Sequence, residues 1–384
     1  MFKTNRQNYD TVIVGARCAG AFTALHLARG GQRVLVIDRD QYGADTLSTH
    51  ALMRLGVSLL DEANVLPQII AAGAPAVKKT GFTYAGDRVA VDITPKGRAE
   101  GLYAPRRSVL DRILVDAAKD AGATFIFQAS FEGLIRNADH RPVGVRIRMP
   151  DGAVHTVRCD TIVGADGRCS AVATACGSQV THKGQNCSAS IYTYVEAPNL
   201  DSYEWFYGPG TMAGLIPTND GKACAFASVS RNELSQLGQE NPYDALRRKF
   251  VICGAAPGFL PKEPAERVRR FAGAPGHIKQ AVGPGWALVG DAGYFKDPAT
   301  AHGITDALRD ARALAQALLV GSDEARRSYQ EDRDALSLPL FALTDQIASL
   351  NWSMDDIRAL HMDLHQIMRA EQTAVLRPDR KRAA

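Results

Sequence analysis

Apolar residues open the chain in short, bounded runs. Tyr9 to Val14 (YDTVIV) reads as a short buried strand. GARCAG follows, and then AFTALHLARGG, where apolar residues recur at helical spacing until Gly30 and Gly31 stop the helix. Arg33 to Ile37 (RVLVI) is a second buried strand, ending at Asp38, so the three segments make one β-α-β unit. Short strands broken by glycine turns are expected over 80–105, and a helix over 107–121 that ends at Gly122. Further strands fall at 125–129, 143–149, 154–158 and 161–163. Near Cys187 the pattern turns to strict alternation. Ser190, Tyr192, Tyr194 and Glu196 share one strand face, and Ala189, Ile191, Thr193 and Val195 the other. Runs at 203–207, 213–217 and 223–229 extend this into a mostly antiparallel sheet. A helix at 240–256, a strand at 287–289, a helix from about Ile304 and a largely helical stretch over 336–376 complete the reading.

These elements predict an α/β protein: a Rossmann-like dinucleotide-binding domain with an inserted, mostly antiparallel β-sheet domain and C-terminal helices. The expected divisions are 1–177 for the first part of the nucleotide domain, 178–280 for the substrate domain, 281–330 for the return segment and 331–384 for the helical end. A chain of 384 residues suits such a two-part body better than one ordinary core.

Composition narrows the picture by exclusion. Hydrophobic residues at 46% and charged residues at 22% are ordinary for a globular protein. A net charge of +4 with no dense Lys/Arg stripe does not suggest nucleic-acid binding. The basic tail from Arg377 to Arg382 reads as a solvated end. Seven cysteines (Cys18, Cys159, Cys169, Cys176, Cys187, Cys224 and Cys253) show no CxxC pair or zinc spacing, which suits a reducing compartment. No apolar run is long enough to span a bilayer, and MFKTNRQNYD lacks a signal core. The expectation is a soluble, cytoplasmic protein with no stable membrane insertion.

The candidate chemistry begins at Gly15–Gly20. Glycines let the backbone turn tightly and approach a pyrophosphate, while the helix start offers free N–H groups and positive dipole. Gly15, Ala16, Arg17, Cys18, Ala19 and Gly20 form this turn. Asp38, with Arg39 beside it, ends the second strand where a carboxylate can bond an adenosine ribose. Arg17 stands where the middle glycine is usual, but backbone donors survive any side chain. The blander alternatives are a close-packed turn of an unrelated α/β domain and a solvated strand end. At Gly164–Gly167, Asp166 can anchor a turn and Gly167 can take a positive φ. WALVGDAGYFKDPATAHGITDA (286–307) delivers Gly290 and Asp291 at a strand end, then Pro298, Gly303 and a helix from Ile304. Asp291 can accept a ribitol or ribose hydroxyl, and the helix start can stabilise negative charge on a reduced flavin. A second, distant cofactor segment fits FAD better than a nicotinamide nucleotide alone.

In the order and separation of these motifs the chain resembles the FAD-dependent aromatic hydroxylases of the para-hydroxybenzoate hydroxylase type, within the wider geranylgeranyl reductase-like flavoprotein superfamily. The resemblance covers most of residues 9–325. It implies an FAD contact for Arg107 near the ribityl or phosphate region, with Arg106 as a rival. It implies a pyrophosphate or NAD(P)H role for Asp166, beside Gly167 and Arg168. Arg17 and Ala301 depart from family glycines. The implied cycle reduces FAD with NADH or NADPH. Oxygen adds at flavin C4a, and the hydroperoxide passes one atom to a small aromatic or heteroaromatic molecule. The expected partners are therefore an organic substrate and O2. His50 in DTLSTH (45–50) and His302 are candidates to orient substrate or move a proton. Tyr192 and Tyr207, with Tyr194 and Trp205, are candidates to line an aromatic cavity. Lys296 and Asp297 read as loop surface or substrate entrance. His361 and His365, at i,i+4, read as a packing or dimer-contact helix, and no metal is expected. The WxWxIP segment of halogenases is absent. An FAD-dependent reductase of isoprenoid-type double bonds is the main alternative. A flavin sensor lacks an accompanying receiver, kinase or DNA-binding segment. A homodimer and a separate flavin reductase both stay open.

Overall fold

The structure, a computed structural model, describes residues 8–237 and 240–376. The MFKTNRQ start and the Arg377–Arg382 tail lie outside the described residues.

Three runs of apolar residues become the centre of an eight-stranded sheet. Val154–Gly164, Asn8–Val14 and Val34–Asp38 lie side by side and parallel, with Trp286–Leu288 and Thr124–Phe127 added in parallel outside them. Alternation sorts each strand between two cores. Ile13, Val34, Val36 and Val163 face the helices, whereas Val12, Val14, Leu35 and Ile37 face Val145, Ile147 and Trp286 behind. Cys18–Arg29 is buried along almost its whole length because Arg107–Asp120 and Gly303–Val320 flank it. Its run of Ala and Gly lets those neighbours approach closely.

The sheet departs from the sequence reading in places. The runs at 154–158 and 161–163 are one strand, Val154–Gly164. Its first half alternates between exposed and half-buried positions. Its second half is buried on both faces, so the periodicity changes within one element. Ser130–Arg136 is a strand the pattern did not indicate, paired antiparallel with Pro142–Arg148.

The second sheet has seven strands and is antiparallel except where Ser202–Gly208 runs parallel to Lys79–Tyr84. Lys79–Tyr84 and Asp87–Asp92 join it from ahead of the 178–280 span. Ala189–Glu196 sits near one edge, between Arg269–Phe271 and Lys222–Val229. One face buries Ile191, Val195, Phe206 and Leu215 against the Pro242–Ile252 helix. The other carries Tyr192, Tyr194, Trp205, Tyr207 and Phe226 and turns to the nucleotide domain. The alternation of Ala189–Glu196 therefore sets which side chains meet the space between the sheets. The stretch read as helical over 336–376 is two helices, Asp323–Ala348 and Met354–Leu376. Leu350 breaks them at φ 55°, and Trp352 Nε1 donates to Ile347 O at 2.9 Å to close the corner. No described helix is long and apolar enough to cross a membrane.

Candidate cofactor and substrate cavity

A cavity of about 600 Å³ runs between the two sheets. One end is built by the first β-α turn. Gly15 holds φ 107°, and a Cβ there would overlap the Ala165 carbonyl; a Cβ on Gly20 would overlap the Gly15 carbonyl. Only glycine lets these three segments meet. The helix that follows has no acidic residue in its first turn and no side-chain cap from Arg17, which suits an anion there, although Asp111 faces the Cys18 amide. Arg17 swings aside to Asp40, with Nη2 to Oδ2 at 2.9 Å. Its Nη1 is buried without a hydrogen-bond partner among the described residues. Asp38 Oδ2 accepts from the Ala16 amide at 2.6 Å, and Oδ1 from the Asp40 amide at 2.8 Å. The acid thus ties the glycine turn to the end of the second strand, with Arg39 exposed beside it.

Gly15, Arg17, Cys18, Ala19, Asp38 and Arg39 line this end, and Ala16 and Gly20 stand directly behind it. Arg107 lines the middle and is 8% exposed. Its guanidinium donates to Asp111 at 3.0–3.2 Å and reaches the Cys18 sulfur at 3.6 Å. Burial opposes the Arg107 charge, but Asp111 holds it above the ordinary arginine value. Arg106, the rival, turns away to Glu266 and Asp45 and covers the Tyr194 ring at 3.9 Å. Asp166 lines the cavity, but its carboxylate is spent on Ser170 Oγ at 2.5 Å and the Ala171 amide at 2.7 Å. Gly167 next to it takes φ 79°. Asp166 therefore shapes the turn and start of the Ala171–Cys176 helix rather than presenting a free carboxylate.

The far end is made by the 290–304 loop. Gly290, at φ 60°, seats the turn against Ala19 and does not line the cavity. Asp291, Pro298, Gly303 and Ile304 do line it. Asp291 is open to the cavity, yet enclosing protein pushes its carboxyl up against the pull of Lys296 and Arg107. Ala301 takes φ 48°, where the family commonly has glycine. Lys296 and Asp297 are not loop surface: they are 7% and 3% exposed. Asp297 accepts from the Ser188 amide at 2.7 Å, Ser188 Oγ at 2.9 Å and the Ala299 amide at 2.9 Å. It thereby fastens the loop to the antiparallel sheet. Burial pushes the Asp297 carboxyl up to about 6 despite those bonds.

The substrate-side candidates separate. Of Tyr192, Tyr194, Trp205 and Tyr207, only Tyr192 lines the cavity. Phe226, Phe271, Ser190 and Ser228 stand around it, and the two serine hydroxyls bond at 3.0 Å. The Tyr192 hydroxyl is buried and makes no hydrogen bond among the described residues; Arg269 approaches it outside bonding geometry. Tyr207 packs edge-on against His361 at 4.5 Å and over Tyr84 at 5.4 Å. Tyr84 in turn bonds His361 Nδ1 at 2.8 Å. This cluster joins the sheet to the last helix, so Tyr207 serves packing there and His361 has its place. His50 is fully buried at φ 66°, with Nε2 bonded to the Tyr194 hydroxyl and Nδ1 unpartnered among the described residues. It does not line the cavity. Burial, with Arg107 next, lowers its pKa to about 3, so it stays neutral where the sequence reading had it exchange a proton.

His302 also turns away from the cavity. Its Nε2 donates to Glu371 Oε2 at 2.8 Å, across from the last helix. Burial outweighs Glu371 and lowers the imidazole below its ordinary value. His302, Asp306 and Glu371 bring three potential ligand atoms within 4.8 Å of one another. Lys296 and Arg309 already pair with those carboxylates. Sequence reasoning missed Asp111, Asp306, Arg309 and Glu371. The available signal was a charge at helical spacing on an apolar face: Arg107–Asp111, and Asp306–Arg309–Asp310 amid Leu and Ala.

The cradle that a Cβ would fill, the first helix start, the unpartnered Arg17 nitrogen and the distant Asp291 suit an extended dinucleotide. Comparison with known proteins agrees. A family model described as an FAD binding domain matches residues 8–337. Digeranylgeranylglycerophospholipid reductase 1 of Methanococcoides burtonii is 26% identical over 313 residues, covering 79% of this chain and 72% of its own. Among solved structures, Pseudomonas aeruginosa PqsL in complex with 2-aminobenzoylacetate aligns over 93% of this chain and 100% of its own, with TM-score 0.80 and 19% identity. That protein is also described as a probable FAD-dependent monooxygenase. A geranylgeranyl bacteriochlorophyll reductase-like protein of Thermoplasma acidophilum aligns over 96% and 97%, with TM-score 0.71 and 19% identity. At such identities the structures share the fold.

Proposed function

This chain belongs to the FAD-binding oxidoreductase family whose model spans residues 8–337, and from that premise we propose that it uses NADH or NADPH and O2 to place one oxygen atom on a small aromatic or heteroaromatic substrate. When bound, FAD supplies the electron transfer and oxygen chemistry. The chain's residues hold and orient. The first helix start and Arg17 receive the pyrophosphate, Asp38 the adenosine ribose, and Arg107 and Asp291 the ribityl region. The start of the Gly303–Val320 helix stabilises negative charge at the ring. The balance is substrate–H, O2, NAD(P)H and a proton in, and substrate–OH, water and NAD(P)⁺ out. No protein nucleophile is needed.

The observation that carries the reading is the sheet-side wall. Tyr192 offers a buried hydroxyl with no bonding partner among the described residues, on a wall it shares with Phe226, Phe271 and the Ser190–Ser228 pair. Ring faces suit a flat aromatic molecule, and the hydroxyls suit its polar substituent. Leaving a buried hydroxyl unmatched costs about 1–3 kcal/mol, which a ligand bond removes. The second reading is reduction of an isoprenoid-type double bond, favoured by the reductase described above. A long apolar chain would leave those hydroxyls unmatched.

The test supplies FAD-loaded protein with NADH or NADPH, labelled dioxygen and a panel of phenols and heteroaromatics. Ligand-stimulated NAD(P)H oxidation with one labelled oxygen atom in the product supports the proposal. Label-free reduction of an isoprenoid alkene under anaerobic conditions overturns it in favour of the second reading. Turnover only with a separate flavin reductase overturns direct use of NAD(P)H.

A further inference from the structure

The flavin-side loop carries a buried lysine that the reading above leaves unused. Lys296 lines the cavity and bonds Asp306, which lines it too. Both sit beside the start of the Gly303–Val320 helix, the end of the cavity assigned to the flavin ring. The surrounding charges come from every neighbouring element. Arg309 and Asp310 rise from the same helix as Asp306, bonded to each other at 2.8 Å. Glu371 reaches in from the last helix to Arg309 and His302. Asp291 faces Lys296 from the preceding turn, and the Tyr294 ring lies 4.9 Å from Nζ. Lys296 and Arg309 stand among the carboxylates of Asp306, Asp310, Glu371 and Asp291. So many buried charges are costly to keep, and they concentrate where ionisation has a task. Burial, with Arg309 next, lowers Lys296 to about 7 against the pull of Glu371, Asp291 and Asp310.

We propose that Lys296, held at the cavity wall by Asp306, takes up a proton when the bound flavin is reduced and so supplies the cation that offsets the charge arriving there. The inference rests on FAD occupying the cavity, and not on which reaction follows. The balance is explicit. Two electrons and one proton go to the flavin, which gains one negative charge. A second proton binds the Lys296 amine and makes it an ammonium. The electrons come from NAD(P)H, or from dithionite in the test. Asp306 keeps the amine in place in both states, and the Glu371–His302–Arg309 contacts hold Asp306 and the loop.

The test is the midpoint potential of FAD-loaded protein against pH, by dye equilibration, for the wild type, Lys296→Met and Lys296→Arg. Above about pH 7 the wild-type line falls more steeply than either variant, by about 30 mV per pH unit, the tenfold change of one extra proton in a two-electron couple. Below that pH the wild type meets the Arg variant, and at high pH it approaches the Met variant. Parallel lines for all three overturn the proposal. A second measurement needs no variant: proton uptake on dithionite reduction of the wild type, read with an indicator dye. Uptake per flavin rises between about pH 6 and about pH 8 if the amine is the acceptor. A flat or falling count overturns it. Failure of the wild type to bind FAD overturns the premise instead, and is seen before any potential is measured.

Discussion

Arg107 and Asp111 meet across one helical turn, and neither is stable in the protein without the other. Arg107→Ala leaves the buried Asp111 unpaired, which costs about 3–5 kcal/mol; denaturant unfolding measures it. Arg107→Ala with Asp111→Ala is expected to recover much of that stability while its FAD affinity stays low, since of the two only Arg107 lines the cavity. Full FAD affinity in the double variant would remove Arg107 from the cofactor site. Ala301 sits in the left-handed region, where a Cβ costs roughly 1–2 kcal/mol. Ala301→Gly relieves that cost and returns part of it as unfolded-chain entropy, so it raises stability by up to about 1 kcal/mol. Tyr192→Phe removes the hydroxyl that has no bonding partner among the described residues of the aromatic wall. It is expected to weaken binding of a stimulating aromatic ligand by about tenfold, with the FAD absorbance unchanged. Unchanged ligand affinity would move the polar contact to Ser190 or Ser228.

At the scale of elements, local signals carried far. The glycine turn, the second strand ending in Asp38, and the alternation of Ala189–Glu196 each depend on neighbours in the chain, so sequence was enough to read them. Lys296 and Asp297 do line the cavity, but the loop-surface half of their reading failed because their partners Asp306 and Ser188 are brought in only by the fold. Glu371 was illegible for the same reason: it lies on the last helix and meets His302 and Arg309 only after that helix docks. Burial opposes its charge, but His302 and Arg309 hold its pKa at about 2. Glu371→Ala is therefore expected to cost about 3 kcal/mol or more and to weaken FAD binding, although Glu371 does not line the cavity. Glu371→Gln keeps the shape and loses the charge, and should fall between. Calorimetry and FAD titration of both variants check this order, and unaltered FAD affinity in Glu371→Ala would uncouple the helix from the loop.

Across the whole molecule, buried and half-buried neutral histidines set the acid limit. Burial lowers His26, His277 and His361 to about 4 and His50 to about 3, from 6.5. Below pH 6.5 the unfolded chain binds protons that the folded chain refuses, so stability falls as pH drops toward 4. Asp297, raised to about 6, acts in the opposite sense, as do Asp291 and Asp111, whose carboxyls burial also pushes up. Glu371 contributes stability above about 4.5 that is lost as pH falls toward 2. A melting temperature that declines steadily from about pH 6.5 downward is expected, and a flat profile would mean these imidazoles reach water. The same folded body joins two distant segments into one cavity, with Asp38, proposed above for the ribose, at one end and the Gly303 helix start at the other. The direct test of that claim is titration of flavin-free protein with FAD, FMN and NADPH, followed by flavin fluorescence and heat. The account predicts one FAD per chain, with FMN much weaker because it leaves the Gly15–Asp38 end empty. Equal binding of FMN, or no saturable binding of FAD, would contradict it.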